Sequence, residues 1–308
     1  MRIAVTGGAG FIGSHVAEAY LRAGHEVVVV DNLSTGCRAN VPQGAELQVM
    51  DIADPALVEF LIEQRIEIVN HHAAQVSVHL SIQDPLRDAQ YNVLGSLNVY
   101  EAARRAGVRR IIVASSGGTV YGEQQDLPVT EAHPLQPLSP YGVAKVAAEH
   151  YLRCYSRLYG IEAVVLRYTN VYGPRQNPYG EAGVVAIFTE RLLRGQTPII
   201  YGDGEQTRDY VYVTDVAEAN VLALQPSACG VYNCCSGVET SVNALLEMLQ
   251  QLVGTRLSPQ YAPLRIGELR RSACSYARIA CSLGWYPRTP LPEGLARTVA
   301  AFRKCGRE

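Results

Sequence analysis

Residues 1–13 read MRIAVTGGAGFIG: a short apolar run, Arg2–Thr6, breaks into glycines at positions 7, 10 and 13, and Phe11 and Ile12 open a helical pattern. Glycine at GxxGxxG spacing lets the backbone turn tightly and approach a pyrophosphate, whose charge the N-terminus of the following helix meets. The glycine pattern alone is a weak signal; its place between a strand and a helix is what gives it weight. About twenty residues on, the apolar run EVVVV at 26–30 ends in Asp31 and Asn32. A carboxylate there accepts a ribose hydroxyl pair and repels a 2'-phosphate, which favours NAD over NADP. An Asp that merely terminates a strand is the competing reading.

Outward from this stretch the alternation continues. Short apolar runs stand at 46–50 (ELQVM), 66–70 (IEIVN), 110–115 (RIIVAS) and 162–168 (EAVVLRY), separated by helical patterns near 11–23 and 85–106 and around Tyr141. Strands apolar on both faces, alternating with helices, predict an α/β fold: a Rossmann-type doubly wound parallel sheet over residues 1–168. After residue 169 the texture changes to Gly- and Pro-rich stretches such as YGPRQNPYGEAG and YGDGEQTRDY with shorter helices. We expect 169–308 to be mainly a smaller α/β substrate domain over the sheet's C-terminal edge, with segments returning to the first domain.

The whole chain narrows the partners. At 308 residues it is long enough to bury a core without disulfides or metals. With 48% hydrophobic and 18% charged residues and a net charge of -2, it lacks the basic field that nucleic acid or anionic membrane calls for, so a small molecule is expected. No run reaches membrane-spanning length and the first residues lack a signal-peptide core, which predicts a cytoplasmic protein. Eight cysteines (37, 154, 229, 234, 235, 274, 281, 305) show no CxxC and no ligand spacing, so reduced thiols and no metal are expected. His71 and His72 in HHAAQ read as structural histidines.

The chain has 25 arginines but only two lysines, Lys145 and Lys304. Lys145 stands in SPYGVAK, where Ser139 and Pro140 read as an N-cap and first helical residue. Tyr141 is then in the first turn, and Lys145 one turn later on the same face. A phenol near pKa 10 is a poor base at neutral pH, and a fixed ammonium beside it favours the phenolate. Lysine supplies a compact charge with rotatable donors that can also reach a ribose hydroxyl, which the planar fork of arginine cannot.

TGGAGFIG, Asp31, SSGGTVYG (115–122), YGVAK and RYTNVYGPRQ (167–176) together resemble the extended short-chain dehydrogenase/reductases, the NAD-dependent sugar epimerase/dehydratase family, over essentially the whole chain. The resemblance implies an enzyme with bound NAD that epimerises a UDP-hexose at C4. In such enzymes the Tyr matching Tyr141 takes the proton of the 4-hydroxyl while hydride passes from C4 to NAD, and the keto sugar then turns and receives it on its other face. It also implies NAD contacts at Gly7, Gly10, Phe11, Ile12, Gly13, Asp31, Asn32, Asp51, Ile52, Ala73, Ala74, Gln75, Asn92, Ser115, Tyr141, Lys145 and Tyr168, and a homodimer joined through the helices near 85–106 and at Tyr141.

One departure stands out: the position that usually carries the family's catalytic hydroxyl falls on Gly117, leaving Ser116, Thr119 or water to supply it, with Ser116 preferred. Family dehydratases and decarboxylases carry an acid/base carboxylate in this loop, where the present chain has Gly118 and Thr119. That favours epimerisation over lyase chemistry. The alternatives left open are a 4-epimerase of another nucleotide sugar, such as a UDP-glucuronate or UDP-pentose enzyme, a dehydratase or decarboxylase, and a non-catalytic NAD-binding regulator.

For the UDP-sugar, Arg208 and Arg265 match diphosphate-binding arginines, and Glu268, where Asp is usual, matches an acidic residue on the uridine ribose. Asn170 matches a phosphate contact and Tyr201 an aromatic beside the uracil. The stretch GEAGVVAIF (180–188), with Val184 and Val185, is expected to give backbone contacts, and Ser116 and Thr119 to line the sugar. Ser272 falls where a bulky Tyr excludes N-acetylated sugars and a small residue admits them, which predicts room for UDP-GlcNAc and UDP-GalNAc beside UDP-Glc and UDP-Gal.

Overall fold

In the computed structural model, which describes all residues but 125, 180–182, 265–266 and 306–308, the first half alternates strand and helix. In order come β1 (Arg2–Thr6), α1 (Phe11–Arg22), β2 (Glu26–Asp31), β3 (Glu46–Val49), α2 (Leu57–Glu63), β4 (Ile68–His71), α3 (Val78–Gln83), α4 (Pro85–Ala89), α5 (Gly95–Arg105), β5 (Arg110–Ser116), α6 (Pro140–Tyr159) and β6 (Glu162–Tyr168). The second half follows with β7 (Asn170–Tyr172), α7 (Val184–Leu193), β8 (Ile199–Tyr201), β9 (Thr207–Tyr212), α8 (Val213–Leu222), β10 (Gly230–Cys234), β11 (Glu239–Ser241), α9 (Val242–Val253), β12 (Gln260–Ala262), α10 (Ala277–Leu283) and α11 (Leu291–Cys305).

Seven parallel strands form one sheet in the order β10-β6-β5-β4-β1-β2-β3. Apart from the edge strand β3, whose residues are exposed or half-buried, the apolar runs are mostly buried on both faces because each alternate residue has its own layer to fill. Val27 and Val29 of β2 pack with α1, α8 and α10, whereas Val28 and Val30 pack with α2, α5 and α6. The chain thus returns to the sheet after residue 169: α8 packs on α1, and β10 pairs with β6. The intervening segments gather around a separate core, where Phe188 of α7, Leu245 and Leu249 of α9 and Leu295 of α11 meet the tyrosines Tyr172, Tyr210 and Tyr212.

The sheet order reverses between β1 and β4, the switch point where open α/β sheets bind ligands beyond the strands' C-terminal ends. Two features aim the helices there. Ser139 accepts from the Gly142 N–H at 3.2 Å and Pro140 occupies the first turn of α6. Between α4 and α5 the expected long helix is continuous but widens to π geometry over Gln90–Leu94, a local widening common at functional sites. Among the described residues no helix is long and apolar enough to cross a membrane.

Candidate active site

At the switch point the loops after β1 and β4 touch. Gly7 has φ +69°, and a Cβ there would lie 2.6 Å from the Ala73 nitrogen; one on Gly13 would lie 2.3 Å from the Gly7 carbonyl oxygen. Only glycine fits. Gly10 caps α1 with extended backbone and no side-chain cap, and the first turn of the helix carries no acidic residue, so its N–H groups are left to meet an anion. Phe11 and Ile12, half-buried, open that turn. Asp31 closes β2 with its carboxylate accepting from the Ala9 and Leu33 N–H groups at 3.0 and 2.8 Å. This cradle fits the diphosphate and adenosine ribose of a dinucleotide. Asn32 donates to Asp51 at 2.7 Å, and Ile52 is buried behind them.

After β4, Ala73 and Ala74 lead to Gln75, whose main chain is clasped by Asn92: Gln75 N–H donates to Asn92 Oδ1, and Asn92 Nδ2 donates to the Gln75 carbonyl, both at 2.9 Å. His71 lies 2.7 Å from the Thr6 hydroxyl and 3.0 Å from that of Ser96, and His72 stacks on Tyr168. Burial first, then the Lys145 charge, pushes both imidazoles down to about 3, so they are neutral structural groups. No group of three or more potential metal ligands occurs among the described residues.

Two of the residues expected at the cofactor have their side chains engaged within the protein. Ser115 donates its hydroxyl to Glu149, and the Tyr168 phenol lies among His72 and Asn220. Both side chains are buried.

At the catalytic end α6 places Tyr141, Lys145 and Glu149 at intervals of four on one face. The Lys145 ammonium donates to the Ala114 carbonyl at 3.2 Å and stands 5.7 Å from the Tyr141 ring centre. The Ser116 hydroxyl stands near enough to the Tyr141 phenol to favour its ionised form. Gly117 explains why this falls to Ser116: a Cβ at 117 would point at Cys274 Sγ, 3.2 Å away, and at the carbonyls of Arg167 and Tyr168. At 118, by contrast, a Cβ would face the Asn170 amide oxygen and the Ser116 hydroxyl. The Thr119 hydroxyl is buried without a partner among the described residues.

The electrostatics differ from the expectation that Lys145 would lower the phenol's pKa. In the protein alone, burial holds Tyr141 above the ordinary phenol range, the charge of Asp88 adds to this, and the Ser116 hydroxyl opposes it. Burial also brings Lys145 down to about 8, against the attraction of Asp88 and Glu149. Desolvation is the largest cause for both groups.

The substrate end joins residues far apart in sequence. Arg208 on β9 donates to the Thr207 carbonyl and pairs with Glu268 at 3.1 Å. The other Glu268 oxygen is buried and unpartnered among the described residues. Tyr201 ends β8, its carbonyl held by Gln206 Nε2 at 2.7 Å. Val184 opens α7; the Val185 side chain is in the core, leaving only its main chain for contacts. Ser272 is buried with its hydroxyl accepting from Gln124 at 3.3 Å. Arg265 and residues 180–182 lie outside the described residues.

Three supporting groups escaped the sequence reading. Glu149 forms a buried pair with Arg167, whose Nη1 donates to Tyr121 at 2.9 Å. Asp209, next to Arg208, accepts from Ser236, Gly237 and Cys274 main-chain N–H groups and so ties three segments together. Asp88 is buried beside Gln75 and Asn92. Acidic residues in helical and strand patterns carry no signal of burial. The one hint was the i, i+4, i+8 spacing of Glu149 with Lys145 and Tyr141.

The sequence pattern of the NAD dependent epimerase/dehydratase family matches residues 3–235. The chain belongs to this family. Among relatives of this epimerase/dehydratase chain, a protein of Methanocaldococcus jannaschii named a putative UDP-glucose 4-epimerase is 47% identical over 96% of this chain and 97% of its own. The crystal structure of the Thermotoga maritima UDP-glucose 4-epimerase with UDP-glucose superposes with a TM-score of 0.96 at 47% identity, covering 99% of each chain. That of the Thermus thermophilus UDP-glucose 4-epimerase with NAD gives 0.95 at 46% identity, over 98% of this chain and 99% of the other.

Proposed function

We propose that this protein is a UDP-hexose 4-epimerase that interconverts UDP-galactose and UDP-glucose with resident NAD. One observation carries the reading beyond family membership. Tyr141, Lys145 and Ser116 come together at the end of β5, and position 118, where a Cβ would face the Ser116 hydroxyl, has no side chain. Epimerisation at C4 needs one proton-transfer group; elimination or decarboxylation needs a second, and the loop offers none.

NAD, when bound, supplies reversible oxidation at the sugar's C4. The chain's own residues do the rest. Gly7, Gly10 and Gly13 with the α1 N-terminus hold the diphosphate, and Asp31 takes the ribose hydroxyls. Tyr141 takes the proton of the 4-hydroxyl and returns it, with Ser116 beside the phenol. Lys145 keeps its ammonium beside the ring and within reach of a ribose hydroxyl. Arg208 grips the sugar nucleotide's diphosphate, suited by its fork of donors, and Glu268 and Tyr201 hold the uridine. Asn170 contacts phosphate.

The buried Ser272, small where a Tyr would fill the space, supports acceptance of UDP-GalNAc and UDP-GlcNAc. Exposed Leu86, Leu94, Val143 and Tyr151 on the α4–α6 face support a homodimer through these helices. Residues 1–168 with β10 make the NAD domain and most of 169–308 the substrate domain. The seven described cysteines are free, in keeping with a reducing cytoplasmic setting.

The test follows anomeric protons by NMR after UDP-galactose is mixed with the purified protein without added cofactor. The gluco epimer should appear with wild type, while Tyr141→Phe should lose about 10²–10⁴-fold in rate yet retain NAD. Full activity in Tyr141→Phe would refute the assigned acid/base, and no conversion by wild type even with added NAD would refute the reading. A parallel tube of UDP-GalNAc decides the role of Ser272.

A further inference from the structure

Three consecutive residues of β9 each hold the segment after residue 266. The Thr207 N–H donates to the Arg270 carbonyl at 3.0 Å, Arg208 pairs with Glu268 at 3.1 Å, and the Asp209 carboxylate accepts from the Cys274 N–H at 3.2 Å. The middle tie is the one a diphosphate has to open to take the Arg208 guanidinium, and it is partly exposed, whereas Asp209 is fully buried. The two oxygens of Asp209 collect five donors. Oδ1 accepts from the Thr169 hydroxyl at 3.3 Å and from both the N–H and the hydroxyl of Ser236 at 2.7 Å; Oδ2 accepts from the N–H groups of Gly237 and Cys274 at 3.0 and 3.2 Å. None of the five is a cation, so these contacts offer a charged ligand nothing to compete for. Each oxygen receives a main-chain N–H, which can only donate, so both oxygens must accept. Burial raises the proton affinity of the carboxyl, and the hydrogen bonds from Ser236, Cys274 and Gly237 oppose that rise.

The donors come from three segments. Two carry residues assigned above to the sugar nucleotide: Thr169 precedes Asn170, and Cys274 stands two residues after the buried Ser272. The third, Ser236 and Gly237, follows β10, which belongs to the large sheet. We propose that Asp209 is a positioning residue for the sugar nucleotide: it keeps the β6–β7 junction and the segment around 274 seated against β9 while Arg208 exchanges Glu268 for the substrate's diphosphate. The inference deepens the epimerase reading and rests on it for the identity of the ligand. Once Arg208 lets go of Glu268, Asp209 is one of two hydrogen-bonded ties left between β9 and the segment that carries Glu268 and Ser272. Without it, part of the binding energy goes into ordering that segment, and affinity for the nucleotide falls. The glycine cradle at β1 and α1 makes no contact with Asp209 through these five donors and keeps its NAD.

Asp209→Asn tests the seat, because an amide offers one acceptor oxygen where the carboxylate offers two and turns an N–H donor toward main-chain N–H groups. A second buried carboxylate supplies the comparison. Asp215 of α8 is 4% exposed and accepts from the Arg288 and Thr289 N–H groups at 3.1 and 2.9 Å, but the segment it holds carries no residue assigned to substrate. Each holoenzyme is titrated with UDP by calorimetry, and turnover of UDP-galactose is followed alongside. In Asp209→Asn, Kd for UDP and KM for UDP-galactose should rise about 10-fold, the order of one lost hydrogen bond to a charged group, with kcat falling less and NAD retained. Asp215→Asn should lower the melting temperature as Asp209→Asn does yet bind UDP as wild type does, a split that a merely structural Asp209 does not produce. Unchanged UDP affinity in folded Asp209→Asn overturns the proposal, as does equal weakening in Asp215→Asn. If Asp209→Asn does not fold, Thr169→Val combined with Ser236→Ala removes the two hydroxyl donors and leaves the carboxylate; UDP affinity should again fall, and an unchanged affinity overturns the proposal. A wild type that neither binds UDP nor converts UDP-galactose refutes the epimerase reading alone. Hydrogen exchange within 169–172 and 268–274 then decides Asp209: Asp209→Asn should quicken it and Asp215→Asn should not, and unquickened exchange in Asp209→Asn overturns the proposal.

Discussion

The two ends of the site are built from different materials. Around β1, α1 and β2 the walls are main chain, with Gly7 and Gly13 packed so closely that no Cβ fits, and the one charged side chain, Asp31, is already tied to backbone N–H groups. Around β9 and the segment after residue 266 the walls are long charged side chains paired with each other: Arg208 with Glu268, Arg270 with Asp203 and Arg271 with Glu239. The first end is rigid before any ligand arrives. The second keeps its cations on internal counterions, and partly exposed pairs of this kind are weak enough for a diphosphate to displace. In the proposed function the first end holds the resident cofactor and the second exchanges substrate at every turnover.

Breaking the rigid end should do the most damage. Gly13→Ala forces a methyl to within 2.3 Å of the Gly7 carbonyl oxygen, so the loop must shift. The variant should lose about 1–3 kcal/mol in chemical denaturation and be purified without NAD. A cofactor-loaded Gly13→Ala would mean that the cradle is softer than its geometry says. The exchangeable end should respond more mildly and in a different parameter. Arg208→Gln removes one charged grip, and KM for UDP-galactose should rise by roughly 10–100-fold, as loss of a hydrogen bond to a charged group implies, while kcat falls less and NAD stays bound. If kcat and NAD content fell together instead, the two ends would not be separable.

The same contrast explains what the sequence disclosed. Glycine spacing, a strand-ending Asp31 and the Ser139–Lys145 helix start are local, because main-chain sterics and capping are written within a dozen residues. Six of the seven strands followed from their apolar runs, but α2 and α3 are short and weakly patterned and carried no signal. The place of β10 beside β6 depends on packing 66 residues away rather than on anything within 230–234. Ser116 and Gly117 needed the structure. Which of two adjacent residues faces the phenol depends on how β5 ends against Cys274, a residue 157 positions later. Asp88, Glu149 and Asp209 were invisible because burial of a carboxylate is a tertiary fact. The direction of the Tyr141 shift is not legible in the sequence for the same reason, because its largest cause is burial of the phenol.

The central claim is that one proton-transfer residue serves an oxidation and return at C4, with no second acid/base group to open the sugar to elimination. The most direct measurement is to run the UDP-galactose conversion in D₂O and read the product by ¹H NMR. The account predicts UDP-glucose with protium retained at both C4 and C5. Deuterium at C5, or a dehydrated product, would contradict it, since either requires a second acid/base group that positions 118 and 119 do not provide.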